Sequence, residues 1–248
     1  MSIIQGTAKG GGTVAASFYD YPIEQSLRFD GSSYLSFTPP SNTNSGLWTY
    51  SVWVKLSGSD FSGLLLGASP SSFQSDLRFG GTLQFFDDAG SNFNLESSML
   101  FRDTSAFYHI VVAVNSSLST DKIKIYVNGS VISFSVNSQS FTTSKYNNSS
   151  YDMRIGGRSS SSVTLNGYLA NIQLIDGQAL DPYFFGELKD NIWVPYNAFS
   201  TAGSGTATAS DGDTATDSYG TNGFHLDFAD SSNIGNDVSG NNNDWTVN

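Results

Sequence analysis

The sequence contains no cysteine, so no disulfide can staple the fold and no thiolate can act as a nucleophile or metal ligand. Basic residues are also scarce, because 11 lysines and arginines against 22 acidic residues give a formal net charge of −11. Binding to phosphate backbones needs a basic face, and we therefore predict no nucleic-acid partner.

Long apolar runs are missing as well. No stretch reaches the length that crosses a bilayer, and residues 1–12 lack the charged region and apolar core of a secretory signal. These absences predict a soluble protein without membrane insertion. If it works outside a cell, we expect it to leave by another route, such as lysis.

What the sequence does contain is typical of short strands joined by turns: 14% aromatic residues, 13% charged residues and 25 glycines. Residues 48–56 alternate with a period of two, which predicts one strand face with Trp48, Tyr50, Val52, Val54 and Leu56 and places Trp53 on the other, among Thr49, Ser51 and Lys55. Residues 122–136 alternate on both sides of Asn128-Gly129, the strongest short signal for a two-residue type I′ hairpin. Pairing across that turn places Ile125 opposite Ile132 and Ile123 opposite Phe134.

About a dozen such strands, with turn signals roughly every ten residues, predict an all-β fold of two packed antiparallel sheets, a sandwich or jelly roll. We expect at most one short helix, opened by Asp181-Pro182 and running through Leu188. The expected organisation is a Gly-rich flexible arm at 1–17, a jelly roll at 18–199, a flexible Ser/Thr/Gly/Ala-rich linker or long loop at 200–220, and a C-terminal strand segment at 221–248.

Several segments together resemble laminin-G-like modules of the concanavalin A-like lectin/glucanase superfamily: SLRFDGSSYLSF (26–37), WTYSVWVK (48–55), KIKIYVNG (122–129), MRIGGR (153–158) and NGYLANIQLIDGQAL (166–180). With FRDTSAFYH (101–109), IWVP (192–195) and YGTNGF (219–224), the resemblance narrows to virion and tail-fibre-type proteins of tailed bacteriophages from aquatic bacteria. It implies a concanavalin A-like jelly roll. It also implies a virion structural or appendage protein (tail fibre, tail or capsid decoration), assembled in the host cytoplasm. Its partners would be further copies of itself, other virion proteins and host-surface polysaccharide.

The position of the last strand leaves two assemblies open. In ordinary laminin-G-like modules a strand resembling residues 224–228 precedes the LRFDG strand, whereas here it comes last, behind the predicted linker. It either folds back to complete its own sandwich or pairs with a neighbouring subunit, which would make the chain a self-polymerising filament subunit. We favour self-completion, because an intramolecular strand has the higher effective concentration.

A catalytic role has little support in the sequence. Glycan-cleaving enzymes of the resembled fold carry two or three carboxylates spaced two apart on one strand, whereas the three glutamates, Glu24, Glu96 and Glu187, are scattered. Of the two histidines, His109 lies in a dense apolar strand and His225 in the last strand; we interpret His109 as a core residue. We therefore predict a protein that is not an enzyme, and a polysaccharide-degrading enzyme is the third hypothesis.

Calcium is the one cofactor that we weigh, and none is required by the patterns. The C-terminal loop spaces oxygen ligands as hard-cation sites do, at Asp237, Asn241, Asn243 and Asp244. Asp211 and Asp213 form a weaker second group. The alternative, which we favour, is an Asx-rich turn that hydrogen-bonds its own backbone.

A sugar-binding role would use exposed aromatic rings as stacking platforms. Five rings in loop-like stretches are candidates: Tyr19, Tyr21, Phe73, Tyr146 and Tyr151. Because aromatic residues occur throughout the chain, the alternative is that most of these rings fill the core or subunit contacts.

Overall fold

The computed structural model describes residues 18–58, 62–69, 75–87, 93–141, 144–158, 163–200 and 203–248. The predicted arm at 1–17 and the candidate Phe73 lie outside the described residues. Within those ranges the strands are, in chain order, β1 (Leu27–Asp30), β2 (Leu35–Phe37), β3 (Leu47–Leu56), β4 (Ser62–Ser69), β5 (Ser75–Gly80), β6 (Thr82–Asp87), β7 (Asn94–Leu100), β8 (Tyr108–Asn115), β9 (Ile123–Val127), β10 (Ser130–Val131), β11 (Phe134–Ser138), β12 (Asp152–Ile155), β13 (Asn166–Asp176), β14 (Gly186–Lys189), β15 (Ile192–Pro195), β16 (Thr206–Thr208), β17 (Thr214–Thr216), β18 (Phe224–Leu226) and β19 (Thr246–Val247).

Two large antiparallel sheets contain most of these strands. Sheet A has the order β1-β13-β3-β8-β9-β10, and β18 extends the same edge of β13 that pairs with β1. Sheet B has the order β11-β7-β6-β5-β4-β12-β2-β19. This architecture confirms the predicted all-β jelly-roll sandwich.

The main core lies between the sheets and follows the period of two in the strands. One face of β3 supplies the predicted row to it: Trp48, Tyr50, Val52, Val54 and Leu56, all buried. Sheet B contributes alternate residues of β5 and β6 to the same core: Leu77, Phe79, Leu83 and Phe85. In the opposite phase of these two strands Asp76 is buried, whereas Arg78, Thr82, Gln84 and Phe86 are half-buried.

The Asn128-Gly129 turn confirms the predicted hairpin. Both residues have positive φ, 47° at Asn128 and 79° at Gly129, as a type I′ turn requires. The Ile132 amide donates to the Ile125 carbonyl at 3.0 Å, so the first expected pairing holds. The second pairing is wrong: Phe134 lies opposite Ser97 on β7, because the chain leaves sheet A after Ile132 and continues as an edge strand of sheet B.

A second, smaller cluster covers the outer face of sheet A. It joins residues of β8 and β13 to rings from the segment that follows β13: Val111, Ile175, Leu180, Phe184, Phe185, Phe199, Ala207, Ala209 and Tyr219. Residues 200–220, predicted as a flexible linker or long loop, here contain the β16–β17 hairpin, with Ala207 and Ala209 buried. The prediction of a flexible linker was wrong, because small residues, which are typical of linkers, can also pack closely against a sheet.

The predicted helix is much shorter than expected. A 3-10 turn spans Pro182–Phe184, and its N-cap Asp181 accepts a hydrogen bond from the Tyr183 amide at 2.8 Å. The chain then turns into β14, where Leu188 pairs with Trp193 of β15, so the helix does not reach Leu188. In the described residues no helix is long and apolar enough to cross a membrane.

The C-terminal segment pairs within its own chain. Phe224 of β18 lies opposite Leu174 of β13, and Val247 of β19 lies opposite Leu35 of β2. Phe224, Leu226 and Trp245 are buried in the main core. This is the self-completing arrangement that the sequence favoured.

Candidate functional site

The outer face of sheet B carries an open groove of about 540 Å³, which we call the sheet B groove. Its lining comes from β5, β6, β7, β11 and the turn between β6 and β7: Arg78, Gln84, Phe86, Asp87, Phe93, Asn94, Glu96 and Ser138. Alternation places Arg78, Gln84 and Phe86 here, since Leu77, Phe79, Leu83 and Phe85 point into the core, whereas Asp87 and Phe93 are themselves buried.

Arg78 is held in place at the centre of this groove. Its Nε donates to Gln84 Oε1 at 3.1 Å, and its Cζ lies 4.5 Å from the centroid of the Phe86 ring. Its Nη1 lies 4.0 Å from Oδ2 of Asp76, a buried carboxylate that also contacts the Arg158 guanidinium. Side chains fixed in this way lose little further freedom when a ligand binds.

Two carboxylates line the groove, and both are engaged. Glu96 Oε1 accepts from the Thr82 hydroxyl at 2.8 Å. Asp87 Oδ1 lies 2.7 Å from Nζ of Lys145, and both side chains are buried. A glycosidase acid needs a carboxyl group poised in apolar surroundings, which differs from the ion-paired setting of Asp87.

The outer face of sheet A is instead mostly covered, and several of its polar side chains are bonded to one another. The His109 ring stacks on Trp53 at 4.6 Å and on Trp193 at 6.0 Å between centroids. Its Nδ1 accepts from the Trp193 indole at 2.9 Å, so its proton resides on Nε2, 2.8 Å from the Ser51 hydroxyl. Desolvation lowers the pKa of His109 to about 3, which keeps the ring neutral. His109 is a core residue, as we expected.

His225 occupies a similar setting on the same face. Its Nε2 lies 2.6 Å from Oδ1 of Asn171 and its Nδ1 lies 3.2 Å from the Tyr219 hydroxyl. Burial lowers its pKa to about 4, outweighing the nearby charges of Asp227 and Asp237. Neither histidine is an accessible base.

The sequence matches the family model of the concanavalin A-like lectin/glucanases superfamily over residues 29–182. The chain belongs to this superfamily. The laminin-G-like resemblance drawn from the sequence is therefore confirmed. No curated protein sequence matches the chain.

Solved structures related to this superfamily member are distant in sequence. A heptameric pentraxin of Limulus polyphemus is 16% identical, with a TM-score of 0.45, over 62% of this chain and 76% of its own. A candidate carbohydrate-binding protein of Bacteroides ovatus is 15% identical, with a TM-score of 0.47, over 90% of this chain and 59% of its own. A carbohydrate-binding module of Bacillus subtilis is 12% identical, with a TM-score of 0.29, over 61% of this chain and 84% of its own. These likenesses carry no argument about what this chain binds.

The ring candidates from the sequence do not gather at one place. Tyr146 is fully buried in the main core, and its hydroxyl lies 2.8 Å from the Ser75 carbonyl. Its ring therefore cannot stack on a sugar. Tyr151 is half-buried just before β12. Tyr19 and Tyr21 are half-buried before β1, where Tyr21 donates to Asn171 Oδ1 at 3.3 Å and burial raises its pKa to about 12. None of these four lines the sheet B groove.

The groove residues were missed because each is unremarkable alone. Gln84 and Glu96 are ordinary polar residues of half-buried strands. One usable signal was Phe86, which stands in the outward phase of β6 beside Thr82 and Gln84, where a polar residue is expected.

The Asp237 loop folds around its own carboxylate. The two oxygens of Asp237 accept from the amides of His225, Ser239 and Asn243 and from the Ser239 hydroxyl, all within 2.9 Å. The Asn241 and Asn243 side chains donate to carbonyls of residues 220–223, and Asp244 Oδ1 accepts from the Asp237 amide. Donors engage both oxygens of Asp237 and one of Asp244, as in the Asx-rich turn that the sequence analysis favoured. Calcium binding stays a prediction.

The weaker acidic group gains a third member. Carboxylate oxygens of Asp181, Asp211 and Asp213 lie within 4.8 Å of one another at the surface. Asp181 already accepts from the Tyr183 amide, and burial raises its pKa. Exposed acidic groups of this kind are common without an ion.

Proposed function

We propose that this chain is a non-catalytic carbohydrate-binding module that holds a neutral glycan in the sheet B groove. One observation carries the proposal: planar hydrogen-bonding side chains surround the Phe86 ring in an open, preordered groove. Sugar hydroxyls both donate and accept hydrogen bonds, and amide, guanidinium and carboxylate groups can match both roles.

The charge pattern favours a neutral ligand over an anionic one. In and beneath the groove, the cationic groups of Arg78, Arg158 and Lys145 lie against the carboxylates of Asp76 and Asp87. Glu96 adds a further carboxylate that is hydrogen-bonded to Thr82. The local charges therefore balance, and the chain as a whole is strongly acidic.

We also propose, on the sequence resemblance alone, that the module works on the particle of a tailed phage. It would be a tail-fibre, tail or capsid-decoration protein that contacts other virion proteins and grips host-surface polysaccharide. The alternative, a filament built by strand exchange, is less favoured because β18 and β19 pair inside their own chain. Adhesion needs a presented groove, which the self-completed sandwich supplies.

A glycan array followed by calorimetry tests the proposal. We expect the protein to bind at least one neutral polysaccharide. Gln84→Ala and Glu96→Ala should each weaken it about fivefold, since one hydrogen bond contributes roughly 1 kcal/mol. Lys124→Ala is the matched control, because Lys124 is exposed on β9 of sheet A.

Two outcomes would contradict this proposal. Binding that is unchanged in both groove variants, or absent from every glycan tested, would remove the groove from consideration. Release of reducing ends from a bound glycan, abolished by Glu96→Gln, would show an enzyme instead.

A further inference from the structure

A second groove, of about 760 Å³, crosses the uncovered margin of sheet A; we call it the sheet A groove. Trp53 and Ala170, neighbours in the pairing of β3 with β13, form its floor. One wall is the segment before β1, the other is β15, and Phe107 closes an end. The lining residues are Tyr19, Pro22, Ile23, Glu24, Gln25, Ser26, Trp53, Phe107, Ala170, Ile192, Trp193, Val194 and Pro195.

The floor of this groove holds a hydrogen-bond donor without an acceptor. Trp53 is 7% exposed, and its indole Nε1 is buried with no hydrogen-bond partner among the described residues. The neighbouring Trp193 differs, since its Nε1 donates to His109. A buried N–H that bonds to nothing destabilises the structure, so a ligand that supplies an acceptor there relieves that penalty.

The same layer of sheet A has a surplus of donors. On β13, Nδ2 of Asn171 and Nε2 of Gln173 are also buried and have no partner in the part of the chain that the structure describes, although the Oδ1 of Asn171 and the Oε1 of Gln173 both accept hydrogen bonds. Asn171 directly follows the floor residue Ala170. What this region lacks is an acceptor oxygen.

The walls set the remaining chemistry of the ligand. Pro22, Ile23, Val194 and Pro195 are apolar, so they would bury a small methyl group. Glu24 and Gln25 are exposed at the rim, where they can bond hydroxyl groups. The Glu24 carboxylate and the net charge of −11 disfavour carboxylated, sulfated or phosphorylated ligands.

We propose that the sheet A groove binds a neutral N-acetylated sugar, whose acetamido carbonyl accepts from Trp53 Nε1 and whose methyl group packs on the apolar walls. The indole nitrogen is shielded from bulk water. Binding therefore requires residues 22–26, which lie outside any strand, to move outward and admit the carbonyl. The site is separate from the sheet B groove and does not depend on it.

The test follows the indole N–H signals of the ¹⁵N-labelled full chain by NMR. The chain has four tryptophans, and the Trp53 signal is identified by its loss in Trp53→Phe. Triacetylchitotriose should shift the Trp53 signal at millimolar concentration. Cellotriose, which has hydroxyls in place of the acetamido groups, should bind at least tenfold more weakly and leave the signal in place.

The assignment of the signal needs only the spectrum of a folded Trp53→Phe protein. If that variant does not fold, selective labelling with the other tryptophans replaced one at a time identifies the same signal. Phe86→Ala, in the other groove, is the matched control and should leave the shift unchanged. A Trp53 signal that does not move, that moves equally with cellotriose, or that stops moving in Phe86→Ala overturns the proposal.

Discussion

The two outer faces of the sandwich differ in how far the rest of the chain covers them. The outer face of sheet A is covered by the segment from Leu180 to Tyr219, which buries a second cluster of rings around Phe185 and Phe199. The outer face of sheet B is left open, and its strands present Arg78, Gln84 and Glu96 in a groove. The covered face adds buried apolar surface, and the open face carries the groove in which we propose that a glycan binds.

The two faces also differ in the charge of their polar groups. On sheet A, His109 and His225 are desolvated and kept neutral by their depressed pKa values. On sheet B, the groove uses charged groups held by partners, as Asp87 is held by Lys145. Substitutions beneath the covering segment of sheet A should therefore change stability, whereas those in the sheet B groove should change binding there.

The largest expected effect on stability comes from removing residues 201–248. A chain that ends at Ser200 loses β16 to β19, and with them Phe224, Leu226 and Trp245 from the main core. We expect it to show no cooperative thermal transition, because several large buried side chains are lost at once, each contributing about 3–5 kcal/mol. Calorimetry and solution mass measure this.

The matched control is a chain that ends at Trp245, which keeps every core ring and loses only the exposed β19. It should melt cooperatively as a monomer, as should the full chain. A folded monomeric chain ending at Ser200, together with long assemblies of the full chain, would show that the C-terminal strands connect subunits.

A change of pH should have a smaller effect on the free energy of unfolding. Both histidines have folded pKa values, about 3 and about 4, below the ordinary value of 6.5, so the unfolded state binds more protons as the pH falls below 6.5. Their contribution is complete above that pH and is lost on acidification, by about 2 kcal/mol per histidine at a pH of about 5. Asp176, whose pKa is raised by burial, offsets a little of this loss at lower pH.

Urea unfolding at pH values of about 7 and about 5 measures that loss. His225→Gln should reduce the pH dependence by about half, because one of the two titrating groups is gone. If the unfolding free energy of the variant depended on pH as strongly as that of the parent, His225 would not be kept neutral by burial.

The sequence was a good guide to the main core and a poor one to its coverings. Strict alternation in β3 and the Asn128-Gly129 pair depend on local geometry alone, so both were predictable. Residues 206–216 consist of small and polar residues whose packing is decided by the face of sheet A beneath them. Local composition therefore indicated a linker where the fold has a hairpin.

The candidate sites were the hardest part to predict. Tyr146 lies in a polar stretch, yet its ring packs 5.0 Å from that of Trp48, a contact between distant parts of the chain. The sheet B groove joins β5, β6, β7 and β11, and only the register of these strands brings Gln84 level with Glu96. Register across four strands is a tertiary property, and no single segment of the sequence contains it.

The most direct test of the two-face account compares Phe86→Ala with Phe199→Ala, each measured for unfolding free energy and for affinity to the glycan that binds best on the array. Phe199 is buried among Phe184, Phe185 and Tyr219, so its loss should cost about 3 kcal/mol of stability and leave the affinity of the folded protein unchanged. Phe86→Ala should cost about 1 kcal/mol or less and weaken glycan binding at least tenfold. Unchanged binding in Phe86→Ala, or weakened binding in folded Phe199→Ala, would contradict the account.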